Sequence, residues 1–488
     1  MNEPLLCDLS VPGRQGVRYP VSDVPFFDLP SKLTRENLPL PELSEVDVVR
    51  HFTRLSQLNY CIDTGFYPLG SCTMKYNPKI NEEIARLPKF TGMHPLQPIE
   101  TSQGALLLMY ELQNLLMEIG GFTSVTLQPA AGAQGELTGI LIIRAYHNDH
   151  GQSHRNKILI PDSAHGTNPA TSSMSGLKVV QIPSDARGNV DLSILRSECD
   201  DNLAGLMLTN PNTLGLFDEN VQEVIKIVHE VGGLVYGDGA NMNALLGIVR
   251  PGDLGFDVMH FNLHKTFSTP HGGGGPGSGP VGVAAHLVDY LPSPIIGVVE
   301  EGDKETPPLL GYIEPVKSIG RIKSFHGQFG MFIRAYTYIR MHGAEELKMI
   351  SEHAVLNSNY LLQRLKNTYH LPYPRTCMHE FVLEGHWSDN PEIHALDIAK
   401  RLMDYGLHPP TNYFPLIVHD ALMIEPTETE SLQTLDYFIE VMERIAQEAK
   451  DNPTLLKEAP HTTPVGRVDE VKAAKELVLC CNMETSEI

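Results

Sequence analysis

The 488-residue chain carries 37 Lys and Arg against 59 Asp and Glu, a formal charge of −22. That balance excludes sequence-independent nucleic-acid binding, which runs on neutralising phosphates with basic side chains. With 42% hydrophobic and 20% charged residues, the composition is that of a globular protein of two or three domains with ample core.

Seven cysteines (Cys7, Cys61, Cys72, Cys199, Cys377, Cys480, Cys481) are scattered without a CxxC pair, and read as reduced thiols. The first residues have no basic start and no apolar run of signal-peptide length. The most apolar span, residues 105–119, is interrupted by Glu111 and Glu118. No membrane span and a cytoplasmic location are therefore expected.

Residues 1 to about 45 are rich in proline, which fixes φ and removes a donor, so an extended arm is expected rather than a packed sheet. A short helix is predicted over 45–59. Residues 66–78 form a loop dense in hydroxyls, either a surface connection or a loop that closes over an active site. Apolar spacing at Leu106, Leu107, Tyr110, Leu112, Leu115, Leu116 and Ile119 predicts a helix over 99–119, stopped at Gly120-Gly121. Gln128-Pro-Ala-Ala-Gly-Ala-Gln-Gly-Glu136 is a small-residue turn opening the next helix. Such a turn offers free N–H groups to a phosphate, or permits close packing.

From residue 157 strand and helix alternate at α/β spacing. Strands are predicted at 157–160, 177–182, 203–209, 233–240 and 257–263, with a helix over 219–231. His165, Thr209, Asp238 and Lys265 fall where these strands end, the edge at which open α/β sheets bind ligands. Residues 272–282 read as loop. Helices at 325–341, 344–366, 393–405 and 429–448, with strands at 380–383 and 422–425, predict a smaller α/β domain. The boundaries expected are 1–97 for the arm and loop region, 98–322 for a large cofactor-binding domain, 323–449 for the smaller one and 450–488 for a tail.

Lys265 follows a buried strand, where burial favours the free amine, and such an amine can form a Schiff base with an aldehyde cofactor. Alone it reads rather as a snorkelling surface lysine. Its company argues for the site. Asp238, flanked by Gly237 and Gly239, can hold a ring nitrogen protonated, or serve as a turn residue. His165 can stack on a ring or cap a helix. The backbone around Ala131, Gly132, Ala133 and Gln134 can hold a phosphate, with Thr209 and His264 as extra donors. Gly277-Ser-Gly-Pro-Val-Gly282 satisfies GxGxxG but lacks the strand and helix that a dinucleotide site needs. His260 and His264, four apart on an extended segment, lie roughly 13 Å apart, too far for one metal, so none is expected. Cys72 reads as an inert thiol or a reactive one.

Asn262-Leu-His-Lys-Thr-Phe267 with Pro270-His-Gly-Gly-Gly-Gly-Pro-Gly277, Asp162-Ser-Ala-His-Gly-Thr-Asn-Pro169 and Tyr236-Gly-Asp-Gly-Ala-Asn241 resembles the P-protein of the glycine cleavage system, glycine decarboxylase. Gly70-Ser-Cys-Thr-Met-Lys75 and Pro129-Ala-Ala-Gly-Ala-Gln-Gly-Glu136 resemble it too. The chain has the length of one half of a long P-protein and carries the lysine, so it resembles subunit 2 of the two-subunit type. The resemblance implies an α/β, aspartate aminotransferase-like fold type I with pyridoxal 5'-phosphate on Lys265. It further implies glycine decarboxylation, with the aminomethyl group passed to the lipoyl arm of H-protein. By resemblance His165 stacks on the ring, Asp238 pairs with its nitrogen and Ala240 underlies it. Ser71, Cys72, Thr73, Met74 and His94 would line the substrate side. Arg334 is named for the substrate carboxylate without a motif behind it. A homologous subunit 1 lacking the lysine, in an α2β2 heterotetramer, is the implied partner. The rival readings are another fold type I enzyme (an aminotransferase or other amino-acid decarboxylase) and a non-catalytic homologous partner.

Overall fold

The computed structural model describes residues 3–35, 40–271 and 277–478. The chain divides into two compact units, Met1–Gly65 with Glu458–Ile488, and Phe66–Lys457. In the first, the prolines keep the described arm free of strands, and Tyr19, Val21, Phe26 and Phe27 are exposed along it. The helix Glu45–Leu58 follows, opened by a capping box between Ser44 and Asp47 that satisfies orphan N–H groups.

The larger unit is organised by a seven-stranded sheet: β1 (Ser124–Thr126), β2 (Lys157–Pro161), β3 (Lys178–Ile182), β4 (Leu203–Thr209), β5 (Leu234–Gly239), β6 (Val258–Phe261) and β7 (Val281–Val283). Its order is β1-β7-β6-β5-β4-β2-β3. Strands β2 to β6 run parallel, while β7 is antiparallel to both β6 and β1. Every residue of β4, β5 and β6 is buried, which is why their sequences are apolar runs rather than alternations.

The helix Gly132–Asp149 lies on this sheet along a face of glycines. A Cβ at Gly135 would stand 2.7 Å from His260 Cβ, and one at Gly139 would stand 2.5 Å from the Tyr236 ring. Close packing is therefore one reason for the small-residue turn.

Two further sheets were not fully foreseen. The segment read as loop over 272–282 ends in β7, three residues long with Gly282 at its centre, too short, and with a residue of low β propensity in the middle, to register as a pattern; residues 272–276 lie outside the described residues. An antiparallel pair, β8 (Ile295–Glu300) and β9 (Leu309–Ile313), was also missed. The third sheet, β10-β12-β11, joins β10 (Phe381–Glu384) and β12 (Ala421–Ile424), near the expected positions, to the two-residue β11 (Thr411–Asn412). Helices Ala395–Asp404 and Leu432–Asp451 share a core with it, in which Phe381, Leu422, Phe438 and Met442 are buried. The two helices expected over 325–366 form one run, Phe329–Leu365, broken at Gly343 with φ 66° and ψ −177°. Among the described residues no helix is long and apolar enough to cross a membrane.

The glycine face gives a paired test. Gly139→Ala gains about 1 kcal/mol of helix propensity but forces a methyl onto Tyr236, and overpacking of that kind costs about 1–3 kcal/mol. Gly104, in the helix Gln103–Gly120, has nothing within 4 Å of its added Cβ. In urea unfolding, Gly104→Ala is expected to leave the midpoint unchanged or raised, and Gly139→Ala to lower it. A raised midpoint for both would remove the packing argument.

Candidate active site

Parallel pairing in register lays Thr209, Asp238 and His260 side by side at the carboxyl ends of β4, β5 and β6. The pocket over this row is lined by Thr209, Asp238, His260, Lys265, His165 and Ala240, with the opening turn of the helix Gly132–Asp149 on one side. Ser71 and His264 complete the wall nearest the lysine.

Asp238 is 6% exposed, at the end of a fully buried strand. Burial pushes its carboxyl up, but His260, Lys265, the Ala240 N–H and the Asn168 amide together outweigh burial and hold it below the ordinary carboxylate value. Oδ1 accepts from Ala240 N at 3.0 Å and Oδ2 from Asn168 Nδ2 at 3.2 Å, while His260 Nε2 lies 3.5 Å from Oδ1. Nearby Glu136 goes the other way. Burial and the Asp238 charge raise it to about 7, although Thr167 Oγ1 donates to it at 2.6 Å. The pocket floor thus carries one carboxylate held ionised, with a second whose charge is disfavoured beside it.

Lys265 sits in the turn after β6, half-buried, with Nζ donating to Ser71 O at 2.9 Å. His264 is held neutral, its pKa pushed by burial and then by Lys265 and His271 to about 3. Its Nδ1 accepts from Ser278 N at 3.2 Å, so the ring proton is on Nε2. His165 stands both at the pocket and at the start of a helix. It lines the pocket, and its Nδ1 accepts from Thr167 N at 3.2 Å at the start of the helix Thr167–Met174. Phe414 meets its ring edge-on at 5.6 Å.

Ala131, Gly132 and Ala133 line the pocket, whereas the Gln134 side chain turns back to Ala130 N at 2.7 Å and Ile322 O at 3.2 Å. Ser71 alone of the 71–74 group lines the pocket among the described residues. Cys72 and Met74 are half-buried beside it, burial raising the Cys72 thiol above its ordinary pKa, and Thr73 is buried against Glu425. His94 does not join them. It is exposed, with its ring 5.9 Å from Phe325 and its Nδ1 taken by Leu96 N. Arg334 is engaged elsewhere, gripping Glu82 with two bonds of 2.7 and 2.8 Å, which argues against its role as a carboxylate partner. Sequence reasoning missed Glu136, Thr167, Thr213, His260 and Asn262, which also line the pocket. The signal for His260 was present: β6 is the apolar strand following β5, and parallel pairing sets His260 opposite Asp238.

The residues present fit a pyridine aldehyde phosphate. An amine and a buried carboxylate share one pocket. Thr209 Oγ1 is buried without a partner among the described residues. The helix Gly132–Asp149 opens at Ala131 with no side-chain cap, so its first N–H groups are open to an anion. Space beside that turn is kept by Gly279, where a Cβ would come within 2.1 Å of Ala131 O.

The family model described as glycine dehydrogenase, C-terminal domain, matches residues 350–461, and that of aminotransferase class-V matches 138–274. The chain is 58% identical over 480 residues to the "Probable glycine dehydrogenase (decarboxylating) subunit 2" of Caldanaerobacter subterraneus subsp. tengcongensis, covering 97% of this chain and 98% of that one. A protein of the same description from Chlorobaculum tepidum is 57% identical, covering 99% and 100%. A crystal structure of glycine decarboxylase (P-protein) of the glycine cleavage system, in inhibitor-bound form, superposes with a TM-score of 0.72 at 19% identity, over 86% of this chain and 93% of that one. The fold is the α/β fold type I of the pyridoxal-phosphate enzymes, with a mostly parallel sheet.

A methyl at Gly279 would displace the Ala131 carbonyl and tilt the helix start. Gly279→Ala is expected to weaken pyridoxal phosphate binding at least about ten-fold, which corresponds to ~1.4 kcal/mol. Absorbance titration measures it, with far-UV circular dichroism checking the fold; wild-type affinity in a folded variant would remove the phosphate seat from this turn.

Proposed function

Because the chain belongs to the family of the glycine dehydrogenase (decarboxylating) subunit 2, we propose that it is the cofactor-bearing subunit that decarboxylates glycine and hands the aminomethyl group to the lipoyl arm of H-protein. The observation that carries this reading is the joint placement of Lys265, Asp238 and an uncapped helix start around one pocket. When bound, pyridoxal phosphate supplies an aldehyde that condenses with amines and a ring that accepts the electron pair left as CO₂ departs.

The chain's own residues have distinct tasks in this reading. Lys265 Nζ is the amine that holds the cofactor, kept in place by the Ser71 carbonyl. Asp238, held ionised, keeps a ring nitrogen protonated and so keeps the ring electron-poor. His165 and Ala240, both lining the pocket, would hold the ring between them. The N–H groups of the Ala131–Ala133 turn, with Thr209 Oγ1, take the phosphate. His264 donates from Nε2 into the pocket beside the lysine. Glu136, raised to about 7, adds no second full charge next to Asp238.

The relatives' shared description as a subunit 2 implies a further subunit. In our reading that partner is a homologous subunit 1 without the lysine, assembled as an α2β2 heterotetramer, and lipoylated H-protein docks on the assembly. The five described cysteines are free thiols, which supports a cytoplasmic setting.

Borohydride reduction of the cofactor-loaded protein, followed by peptide mass mapping, should label Lys265, and Lys265→Ala should lose both label and turnover while staying folded. A label on any other lysine overturns the assignment. Asp238→Asn is expected to bind the cofactor yet decarboxylate glycine about a hundred-fold more slowly, the scale of losing one electrostatic contact to developing charge. Glycine–CO₂ exchange reads this out, and an unchanged rate would free Asp238 from the role. The purified chain alone should exchange CO₂ feebly until a subunit 1 is added; full activity by itself would refute the two-subunit reading.

A further inference from the structure

Behind the lysine lies a group of buried ionisable side chains that the chemistry above does not use. Glu380 and Glu425 are each 0% exposed, at the start of β10 and the end of β12, and belong to no ion pair with Lys or Arg among the described residues. His379 lies between them, its Nε2 4.0 Å from Glu380 Oε1 and 3.9 Å from Glu425 Oε1. Burial pushes this imidazole down to about 3, so it is neutral. The three could be read as a metal site. Yet every carboxylate oxygen already has a donor: Ser71 N at 2.6 Å and Asn241 Nδ2 at 3.2 Å on Glu380, Thr73 N at 2.9 Å and Thr73 Oγ1 at 2.6 Å on Glu425. Three of these four donors belong to the loop that faces Lys265, and the fourth, Asn241, follows β5.

That loop is bound along its whole length. Glu425 N donates to Pro68 O at 3.2 Å, Leu69 bridges to Ile424, and Thr411 Oγ1 donates to Gly70 O at 2.9 Å. The chain then enters the left-handed region twice, at Ser71 with φ 63° and Thr73 with φ 46°. Neither is glycine, and the β-branched Thr73 is especially costly there. Three glutamates take alternate residues of this strained stretch. Glu380 holds residue 71 and Glu425 holds residue 73. Glu428 accepts from the buried Lys75 Nζ at 2.8 Å. With its N–H fixed by Glu380, Ser71 presents its carbonyl to Lys265 Nζ.

Resting on the assignment of Lys265 as the cofactor-bearing amine, we propose that Glu380 and Glu425 are positioning residues: they lock the 71–73 backbone in its left-handed conformation so that the pocket wall holds that amine in place. Two buried carboxyl groups are an expensive way to fasten a loop: burial pushes both upward, Glu380 further by the charge of Glu425, and Glu425 to about 7 with the Glu428 charge adding to burial. Neutral or apolar side chains would secure the small sheet at less cost. What the carboxyl groups add is directional acceptance from the backbone N–H groups of residues 71 and 73.

The test uses the full chain freed of cofactor and two readouts: deuterium exchange of peptides spanning residues 69–76, and the rate at which an amine-specific reagent labels Lys265. Losing a buried hydrogen-bond partner costs enough that Glu425→Ala and Thr73→Ala should each speed exchange of this loop on the order of ten-fold. Both should change Lys265 labelling by at least about three-fold. Glu425→Gln and Thr73→Ser, which keep an acceptor or the hydroxyl, should restore most of both. Should Glu425→Ala fail to fold, the Thr73 pair decides alone. Loosened exchange with wild-type Lys265 labelling would overturn the proposal and leave the carboxylates as a staple of the small sheet, as would no change in either readout. Borohydride mapping of the loaded protein tests the Lys265 assignment separately, so the two ideas can fail independently.

Discussion

One ionised carboxylate inside the sheet edge is the constraint that the larger unit serves. Asp238 ends the central strand of a buried parallel sheet, where an isolated carboxyl would take up a proton. It stays ionised because its surroundings are fixed from four directions: the Ala240 N–H from its own turn, Asn168 from the helix after β2, His260 from β6 and Lys265 from the turn beyond. Remove the strand order and this set disperses. The register Thr209–Asp238–His260 exists only because β4, β5 and β6 run parallel and adjacent.

The same sheet edge must also present an anion seat, and the glycines decide how close it comes. Gly135 and Gly139 let the helix Gly132–Asp149 settle onto β5 and β6, and a Cβ at Gly132 would already be 2.6 Å from Asn262 Oδ1. A helix raised by one methyl layer would carry its opening N–H groups away from Asp238 and Lys265. Packing and chemistry therefore ask for the same residues, and the two readings of the small-residue turn are one requirement seen from two sides.

That coincidence explains what could be read in advance. Strands β4 and β5 are local apolar runs with polar ends, so 203–209 and 233–240 stood out, and with them Thr209, Asp238 and Lys265. The mostly parallel α/β sheet followed from the alternation of strand and helix. The misses share the opposite property. His260 takes its meaning from Asp238, 22 positions earlier, through strand register, and the spacing His260–His264 invited only the question of a metal. β7 is three residues around a glycine, below the length at which a period shows. Arg334 was an isolated cation in the sequence, and its two bonds to Glu82 span 252 positions. Glu380 and Glu425 lie more than three hundred positions from the loop they bind. Short-range pattern carries strand and helix; the polar network at the site is assembled from pairs that no local window contains.

Strain is distributed by the same logic. Natural chains keep most of the backbone in ordinary conformations and tolerate departures where surrounding contacts over-determine them. Here Ser71 and Thr73, both left-handed without being glycine, adjoin the lysine, and each is met by a buried carboxylate. Ser268, left-handed too at φ 54°, lies three residues beyond Lys265 and donates from its hydroxyl to Tyr76 O at 2.8 Å. The lysine is thus bracketed by strained turns that hold each other: the 71–73 backbone receives Nζ, and the turn carrying Lys265 returns a hydroxyl to the same loop. A half-buried, flexible side chain with four rotatable bonds would otherwise sample many positions. Confinement from both turns holds that flexible amine against the wall of the pocket that Asp238 also lines, and it explains why a loop so rich in hydroxyls is largely buried.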